Sequence, residues 1–330
     1  MSLRCRRWIN QGVFLVAAGF AIWALRDVQF GPAFARLGWG AWIAIALLSV
    51  LSTGFTLLPS WFFVQQAGHR VPLVRFFGIV LASQAVNAAN PLRMGFPMRV
   101  YLLRERLHVA VSTASLLIPL EVFMSISVAA CAALVAGPLH ATAGHERLRF
   151  ALAGAGLAGA LAAVFVGHLA ARRPILISRR LPERVARVVE SIQSALAHLT
   201  PASLGAFAFF FLLSDTAVAG ILKVAAAAAG FHATILFLLA AYCTAYLVGI
   251  VSLVPQGFGT RDATLGVLLH AGGATPEQAA SAVLIVRAST TGLSFLAGLV
   301  AASVMGFSRS ASVMPAAKAR RTAADAEVRR

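Results

Sequence analysis

Charged residues are scarce in this chain: they make up 12% of its 330 residues, whereas hydrophobic residues make up 59%. The mean hydropathy is +0.83. Soluble domains carry about twice that share of charge, so the composition excludes an ordinary soluble enzyme or binding module. It predicts an all-α fold, namely a polytopic helical membrane protein.

Cysteine is also rare, and histidine forms no recognisable metal pattern. Cys5, Cys131 and Cys243 are too scattered for a disulfide framework or a zinc site. No Ser–His–Asp set or general acid–base carboxylate pair can be placed, and no Walker lysine follows the glycines. We therefore expect no metal, no cofactor, no ATP binding and no enzymatic activity.

The positive charge is concentrated in short loops and in the tail. The net charge is +17, but no basic face with interleaved aromatic residues is present, so we expect no nucleic-acid partner. With six spans and two re-entrant elements, 21 Lys and Arg residues lie on the cytoplasmic side and five on the other side. The positive-inside rule then predicts a cytoplasmic (inner) membrane protein with both termini in the cytoplasm.

Six apolar stretches are long enough to span a bilayer, at about 10–26, 40–63, 113–136, 150–170, 203–229 and 279–303. The first follows three arginines and resembles a signal peptide, but we expect a retained helix because the Ala-x-Ala at 33–35 lies well beyond it. Two further apolar stretches, about 74–90 and 233–254, differ from the rest because each runs directly into a motif rich in Pro and Gly.

The two motifs are NPLRMGFPMR at 90–99 and SLVPQGFGTRD at 252–262. Pro lacks an N–H and Gly costs backbone entropy, so neither favours a continuous helix. Backbone freed in this way must lie in protein or line a cavity at membrane depth. The residues that we expect to form these broken loops are Asn90, Pro91 and Gly95, then Pro255, Gly257 and Gly259.

The motifs also indicate an internal repeat. A shift of 164 residues moves Pro91 onto Pro255 and superimposes repeat one, about 41–136, on repeat two, about 205–303. Three crossings separate the re-entrant elements, so the two repeats are predicted to be inverted, as in many transporters. The alternative is a chance alignment of two Pro/Gly loops.

Five charges are candidates for a functional site within the membrane: Arg99, Glu121, Arg261, Asp262 and Arg287. An unpaired charge at the bilayer centre costs roughly 2.5–3.5 kcal/mol, so each needs a partner or water. Glu121 and Arg287 occupy corresponding places, which suggests a pair across the pseudo-axis, either functional or merely locking helices together.

Arg99 and Arg261 each follow a broken loop, where helix N-terminal amides and a guanidinium would suit a phosphate. The alternative for Arg99 is snorkelling toward the cytoplasm. The alternative for Asp262 is to cap its helix and pair with Arg261.

Two polar segments lie outside this predicted core. Residues 179–200 place apolar and basic side chains on opposite helical faces, which is typical of a helix lying on an anionic leaflet. Residues 308–330 form a basic tail that we expect to be disordered. The transmembrane domain is accordingly predicted over 1–307.

At these motifs the sequence resembles the lysylphosphatidylglycerol synthase transmembrane-region family of flippase-like integral membrane proteins. The chain departs from the usual family pattern at Phe96, Val122 and Asp262. We expect the aminoacyl-transferase domain of some members to be absent. The resemblance implies a lipid translocase acting on a phospholipid, hopanoid or glycolipid with an anionic or bulky headgroup.

The expected partners are therefore membrane lipids. The alternative function is a non-transporting scaffold for a lipid- or envelope-modifying enzyme, in which case that enzyme or a second copy of the chain would be the partner.

Overall fold

The computed structural model of the chain describes residues 37–89, 94–141, 200–252, 257 and 259–304. Every regular element in these ranges is a helix, which confirms the predicted all-α fold. The helices are α1 Trp39–Gln66, α2 Leu73–Ala89, α3 Gly95–Leu107, α4 Val111–Ala141, α5 Pro201–Ala228, α6 Ile235–Val251, α7 Thr260–Ala271, α8 Pro276–Arg287 and α9 Leu293–Val304. A π-helical turn, Ala288–Gly292, joins α8 to α9.

Four helices of the described part are long and apolar enough to cross a membrane. They cover Trp39–Gln66, Val111–Gly137, Ala202–Ala228 and Pro276–Val304, the last combining α8, the π-turn and α9. At 1.5 Å per residue each is about 40 Å long, which exceeds the roughly 30 Å hydrocarbon core of a bilayer. These four match predicted spans and confirm a multi-pass membrane protein. The other two predicted spans, 10–26 and 150–170, lie outside the described residues.

The outer surface of these helices is apolar, as lipid contact requires. On α1, Leu47 and Val50 are exposed to 60% and 69%, whereas Ile45 and Leu57 are buried in the interior. Trp39 and Trp42 are also exposed at the start of α1, and tryptophan at that position is typical of the membrane interface. The helix therefore has a lipid-facing side and a protein-facing side.

The helices α2 and α6 are shorter, at 17 residues each. Each is about 26 Å long, and each is followed by a break and then by a short helix, α3 or α7. The short helix packs back against the one before it, α3 on α2 and α7 on α6. We call these two pairs the first hairpin (α2 and α3) and the second hairpin (α6 and α7). The breaks fall where the two Pro/Gly motifs predict them.

The helices form two sets of four in the same order. Their lengths are 28, 17, 13 and 31 residues in α1 to α4, and 28, 17 and 12 in α5 to α7, followed by the 29-residue α8–α9 helix. A shift of 164 residues brings each helix start of the first set to within two residues of its counterpart. The two sets therefore share one order of elements and similar helix lengths.

The two sets exchange contacts reciprocally. Helices α1 and α5 pack together, α2 packs on α9, and α6 packs on α4, so each hairpin lies against the last helix of the other set. The α2–α9 contact is close: a Cβ placed on Gly298 would lie 2.3 Å from Leu81 O. In both cases the second helix of one set packs on the last helix of the other set. A two-fold relation between two units produces reciprocal contacts of this kind.

A small polar cluster joins α1 to α5. Ser52 Oγ lies 2.9 Å from Ser214 Oγ, Thr56 Oγ1 lies 3.0 Å from the same atom, and Ser214 Oγ lies 3.1 Å from Ser52 O. Small hydroxyl residues let apolar helices approach closely and hydrogen-bond across the interface. This cluster therefore fastens the first helix of one set to the first helix of the other.

The predicted interfacial helix at 179–200 and the basic tail at 308–330 both lie outside the described residues.

Candidate functional site

The second hairpin turns at glycines with positive φ. Gly257 has φ 62° and Gly259 has φ 82°, a region that L side chains rarely adopt. Ser252 Oγ and Thr260 Oγ1 lie 2.8 Å apart and hold the end of α6 beside the start of α7. Pro255 lies outside the described residues, but the break between Val251 and Thr260 is where the motif predicts it.

Glycine also sets how closely Arg261 approaches α6. A Cβ on Gly249 would lie 2.9 Å from Arg261 Cβ, and one on Gly257 would lie 3.1 Å from the same atom. Real side chains essentially never make contacts under 3.0 Å without a shift of the neighbour. These two glycines therefore allow the first turn of α7 to rest directly on α6.

The Arg261 guanidinium lies over two aromatic rings of α6. Its Cζ is 4.9 Å from the Tyr242 ring centroid and 5.6 Å from that of Tyr246. The two rings are stacked, with centroids 6.4 Å apart and planes inclined by 14°. Tyr246 also donates a hydrogen bond of 3.0 Å to Ser125 Oγ on α4. A cation over ring faces is attracted by their quadrupoles, so the tyrosines hold Arg261 without neutralising it.

Asp262, in the first turn of α7, forms an ion pair with Arg287 at the end of α8. The distance from Arg287 Nη2 to Asp262 Oδ2 is 3.5 Å. Immediately after Arg287 the helix widens into the π-turn Ala288–Gly292, and such turns are frequent at functional sites. Ser289 Oγ and Thr290 Oγ1 both donate to Val286 O in this segment.

The two helices of the first hairpin approach each other more closely than those of the second. A Cβ on Gly95 would lie 2.0 Å from Ser83 O and 2.5 Å from Asn87 Oδ1, so only glycine fits where α3 starts beside α2. Asn90 and Pro91 lie outside the described residues. Gly95 therefore plays the part in the first hairpin that Gly249 plays in the second.

Arg99 of the first hairpin is paired with a carboxylate through both of its terminal nitrogens. Its Nη1 and Nη2 atoms donate to Glu121 Oε2 and Oε1 at 2.7 and 2.6 Å, a bidentate pair. Ser60 Oγ of α1 donates to the same carboxylate. Arg99 is 3% exposed, so its charge is buried and compensated. Bidentate geometry is the strongest form of this interaction.

These contacts correct three expectations. Glu121 pairs with Arg99 rather than with Arg287 across the pseudo-axis, and Arg287 pairs with Asp262 rather than with Glu121. Arg99 does not snorkel, since it is buried. Asp262 lies within the first turn of α7 rather than at the cap, which is Gly259. The physical reason is that each short helix also packs against the helix that follows it, so that pairs form inside each set.

Within the described ranges, no group of three or more His, Cys, Asp or Glu side chains is arranged to hold a metal ion. The charges of the site are organised as Arg–carboxylate pairs and as one arginine on aromatic rings. Such an arrangement can bind an anion.

A family model described as the lysylphosphatidylglycerol synthase TM region matches residues 11–298. The chain belongs to this family. The match includes both hairpins and all five candidate charges, so the resemblance inferred from the motifs is confirmed. A search of the curated proteins found no match. The chain is therefore a multi-pass membrane protein of a family whose description connects it with lipid handling.

In this member of the lysylphosphatidylglycerol synthase TM-region family, sequence reasoning missed three residues that contact the predicted charges, Ser60, Tyr242 and Tyr246. It also missed Asp215, which accepts a hydrogen bond from Cys243. Asp215 carried a usable signal, because an acidic residue in a spanning segment is a functional candidate by default. The two tyrosines carried a weaker one, since a spacing of four places them on one helical face. Ser60 carried none, because serine is common at interfaces between membrane helices.

Proposed function

We propose that this protein translocates a phosphate-bearing lipid, binding the headgroup at the second hairpin while the acyl chains stay in the bilayer. The observation that carries the proposal is the state of Arg261. It lies on two tyrosine faces, and among the described residues no carboxylate lies within salt-bridge distance of it. Arg99 of the first hairpin, in contrast, is already bound by Glu121.

The geometry at Arg261 suits a phosphate. A guanidinium stacked on rings interacts through its face, which leaves N–H groups at its edge for a planar or tetrahedral anion. Arg261 is the second residue of α7, where helix N-terminal amides and the helix dipole also favour negative charge. Of the lipid classes that the family resemblance implies, a phosphate-bearing one fits this set of donors best.

The helix arrangement supports movement rather than passive binding. The two sets share one order of elements, and each hairpin packs on the last helix of the other set. In inverted-repeat transporters, a site between two such units is opened alternately to the two sides by rocking one unit against the other. We propose the same inverted relation here, with the hairpins entering from opposite faces of the cytoplasmic membrane and no chemical step on the lipid.

A headgroup-accessibility assay tests this proposal. Vesicles containing purified protein and a labelled phosphatidylglycerol would be treated with a membrane-impermeant quencher, comparing wild type with Arg261→Ala. Losing a charged hydrogen bond worth about 1.5–3 kcal/mol should slow label crossing by roughly tenfold or more. Arg104→Ala is the matched control, because Arg104 is exposed on α3 and belongs to neither of the two arginine–carboxylate ion pairs.

The control should cross lipid at the wild-type rate, and both variants should elute as the wild-type protein does in size-exclusion chromatography. Equal crossing rates for Arg261→Ala and wild type would contradict the proposed site. Absence of crossing for every lipid tested, with well-folded wild type, would contradict translocation itself and favour a scaffold role.

A further inference from the structure

Asp215 is a carboxylate inside a membrane-spanning helix that the proposed function does not yet use. It lies on α5, within the candidate span Ala202–Ala228. Ionisable residues at such positions are costly and usually functional. Asp215 therefore needs an explanation of its own.

The partners of Asp215 differ from those of the other carboxylates near the hairpins. Glu121 and Asp262 are each paired with an arginine. Among the described residues, Asp215 lies within salt-bridge distance of no arginine or lysine, and the donor to its Oδ2 is the Cys243 thiol at 3.9 Å. A thiol is a weak donor, so the charge of Asp215 is poorly compensated by local contacts.

The position of Asp215 connects it with the proposed headgroup site. Its hydrogen-bond partner is Cys243, which is adjacent in sequence to Tyr242. The Arg261 guanidinium lies over the ring of Tyr242. Asp215 also lies within electrostatic range of Arg261. In a medium of low dielectric constant such an attraction acts over more than contact distance. Asp215 is therefore one of two carboxylates whose charge acts on Arg261, the other being the adjacent Asp262.

The other groups around α5 do not take over this role. Helices α1, α4, α6 and α8 pack against α5, and α1 carries no titratable residue. The titratable side chains described on the other three are Glu121 and Cys131 on α4, Tyr242, Cys243 and Tyr246 on α6, and Glu277 and Arg287 on α8. Glu121 and Arg287 are engaged in ion pairs. Among the described residues, Cys243 donates a hydrogen bond to Asp215, and Arg261 is the basic residue that acts on it electrostatically.

We propose that Asp215 is the proton site that couples headgroup binding at Arg261 to proton uptake. The inference rests on the proposed function. When Asp215 is charged, it competes with a lipid phosphate for the field of Arg261. When a proton from the aqueous phase binds its carboxylate oxygen, Arg261 becomes available to the phosphate.

The coupling has a consequence for energetics. One proton enters with each anionic headgroup and is returned to the aqueous phase where the headgroup is released. The bound state then carries no added net charge into the membrane, and a difference in pH across the bilayer drives the lipid. No covalent step and no further reactant are involved.

Lipid binding at a series of pH values tests the coupling. The full-length protein in detergent would be titrated with dioctanoyl-phosphatidylglycerol, whose phosphodiester stays ionised through the range. For wild type, affinity should fall by about tenfold per pH unit once Asp215 is ionised, because linkage then requires one proton per lipid bound. Asp215→Asn mimics the protonated carboxyl, so its affinity should be independent of pH. Glu105→Gln, the same change at an exposed position of α3, should keep the wild-type slope.

Proton uptake by the wild-type protein is a second measurement that needs no variant. In weak buffer with a pH-sensitive dye, adding the lipid should remove about one proton per lipid bound from solution. Absence of uptake at every pH where the lipid binds would overturn the proposal, even if Asp215→Asn does not fold. An unchanged pH slope in Asp215→Asn would overturn it as well.

These outcomes are distinct from failure of the proposed function. If Arg261→Ala binds the lipid as tightly as wild type, the headgroup site itself is wrong. If binding requires Arg261 but its pH slope survives in Asp215→Asn, only the proton coupling is wrong.

Discussion

The two hairpins have the same backbone plan but opposite electrostatics. In the first, Arg99 lies on the short helix and Glu121 on the long helix that follows; in the second, Asp262 lies on the short helix and Arg287 on the long one. The second hairpin adds Arg261, which the tyrosines hold without neutralising it. The first hairpin therefore holds its arginine in a bidentate ion pair, whereas Arg261 of the second hairpin has no carboxylate within salt-bridge distance among the described residues.

The largest effect is expected from breaking the closed pair. Glu121→Ala would leave the buried guanidinium of Arg99 uncompensated, and removing one partner of a buried ion pair typically costs about 3–5 kcal/mol. The free energy of unfolding, measured with denaturant in detergent micelles, checks this. The double variant Arg99→Met, Glu121→Leu should recover most of the loss, because well-packed apolar replacements of such pairs are often neutral. A double variant as unstable as the single one would show that the pair does more than compensate charge.

The next largest effect is expected from alanine at Gly95 or Gly249, and the loss of stability should differ between the two hairpins. Gly95→Ala would push a Cβ to 2.0 Å from the Ser83 carbonyl oxygen, which is backbone and cannot move aside easily. Gly249→Ala would meet Arg261 Cβ at 2.9 Å. Overpacking costs about 1–3 kcal/mol, and we expect Gly95→Ala near the upper end and Gly249→Ala near the lower.

The thermal midpoint of each glycine variant in detergent gives this ranking. Gly54→Ala is the control, because a Cβ there meets nothing within 4 Å. It should be neutral or slightly stabilising, since alanine favours a helix. If Gly249→Ala were the more damaging, the second hairpin would be the tighter of the two.

Removing the aromatic support should weaken the second hairpin's binding without unfolding it. Tyr242→Leu with Tyr246→Leu removes two cation–π contacts, together worth about 1–2 kcal/mol, so lipid affinity should fall by roughly fivefold to thirtyfold. Isothermal titration with the short-chain lipid measures the change. Tyr101→Leu is the matched control, since Tyr101 is exposed on α3. Unchanged affinity in the double variant would mean that the rings do not position Arg261.

The smallest effect is expected where the two halves meet. Ser214→Ala removes the hydroxyl that bonds Ser52 and Thr56 of α1. Interhelical hydrogen bonds in membranes average about 0.6 kcal/mol, so the loss of stability should be of that order. Thr216→Ala removes a hydroxyl of the same helix that donates to Leu212 O within it, and should change stability less. A larger loss for Thr216→Ala would contradict a role of the α1–α5 cluster in joining the halves.

Much of the fold followed from local patterns. Four of the spans, both breaks and the order of elements were predictable from the sequence. Hydropathy, proline and glycine affect the conformation of only the few residues around them, so their effects can be read locally. Glu121 and Arg287 were identified as candidates because an ionisable residue in an apolar segment stands out against its neighbours. Arg99, Arg261 and Asp262 were identified because they belong to the two Pro/Gly motifs. Asp215 carried the same signal and was missed.

The partners of those charges were not predictable in the same way. The expected Glu121–Arg287 pair was inferred from equivalent places in the repeat, but the short helices pack inside their own sets and bring Arg99 to Glu121 and Asp262 to Arg287. Symmetry in a sequence indicates which residues correspond. It does not indicate which residues touch.

The sequence by itself determined that this protein crosses a membrane several times, that two of its apolar helices are broken, and which family it belongs to. These properties depend on composition and on short-range backbone preferences. Only the tertiary structure decided that Arg99 pairs with Glu121, that Arg261 lies on Tyr242 and Tyr246, and that Asp215 accepts a hydrogen bond from Cys243. The reason is that each of these contacts joins different helices, so it depends on how closely the helices pack and on which glycines allow that approach.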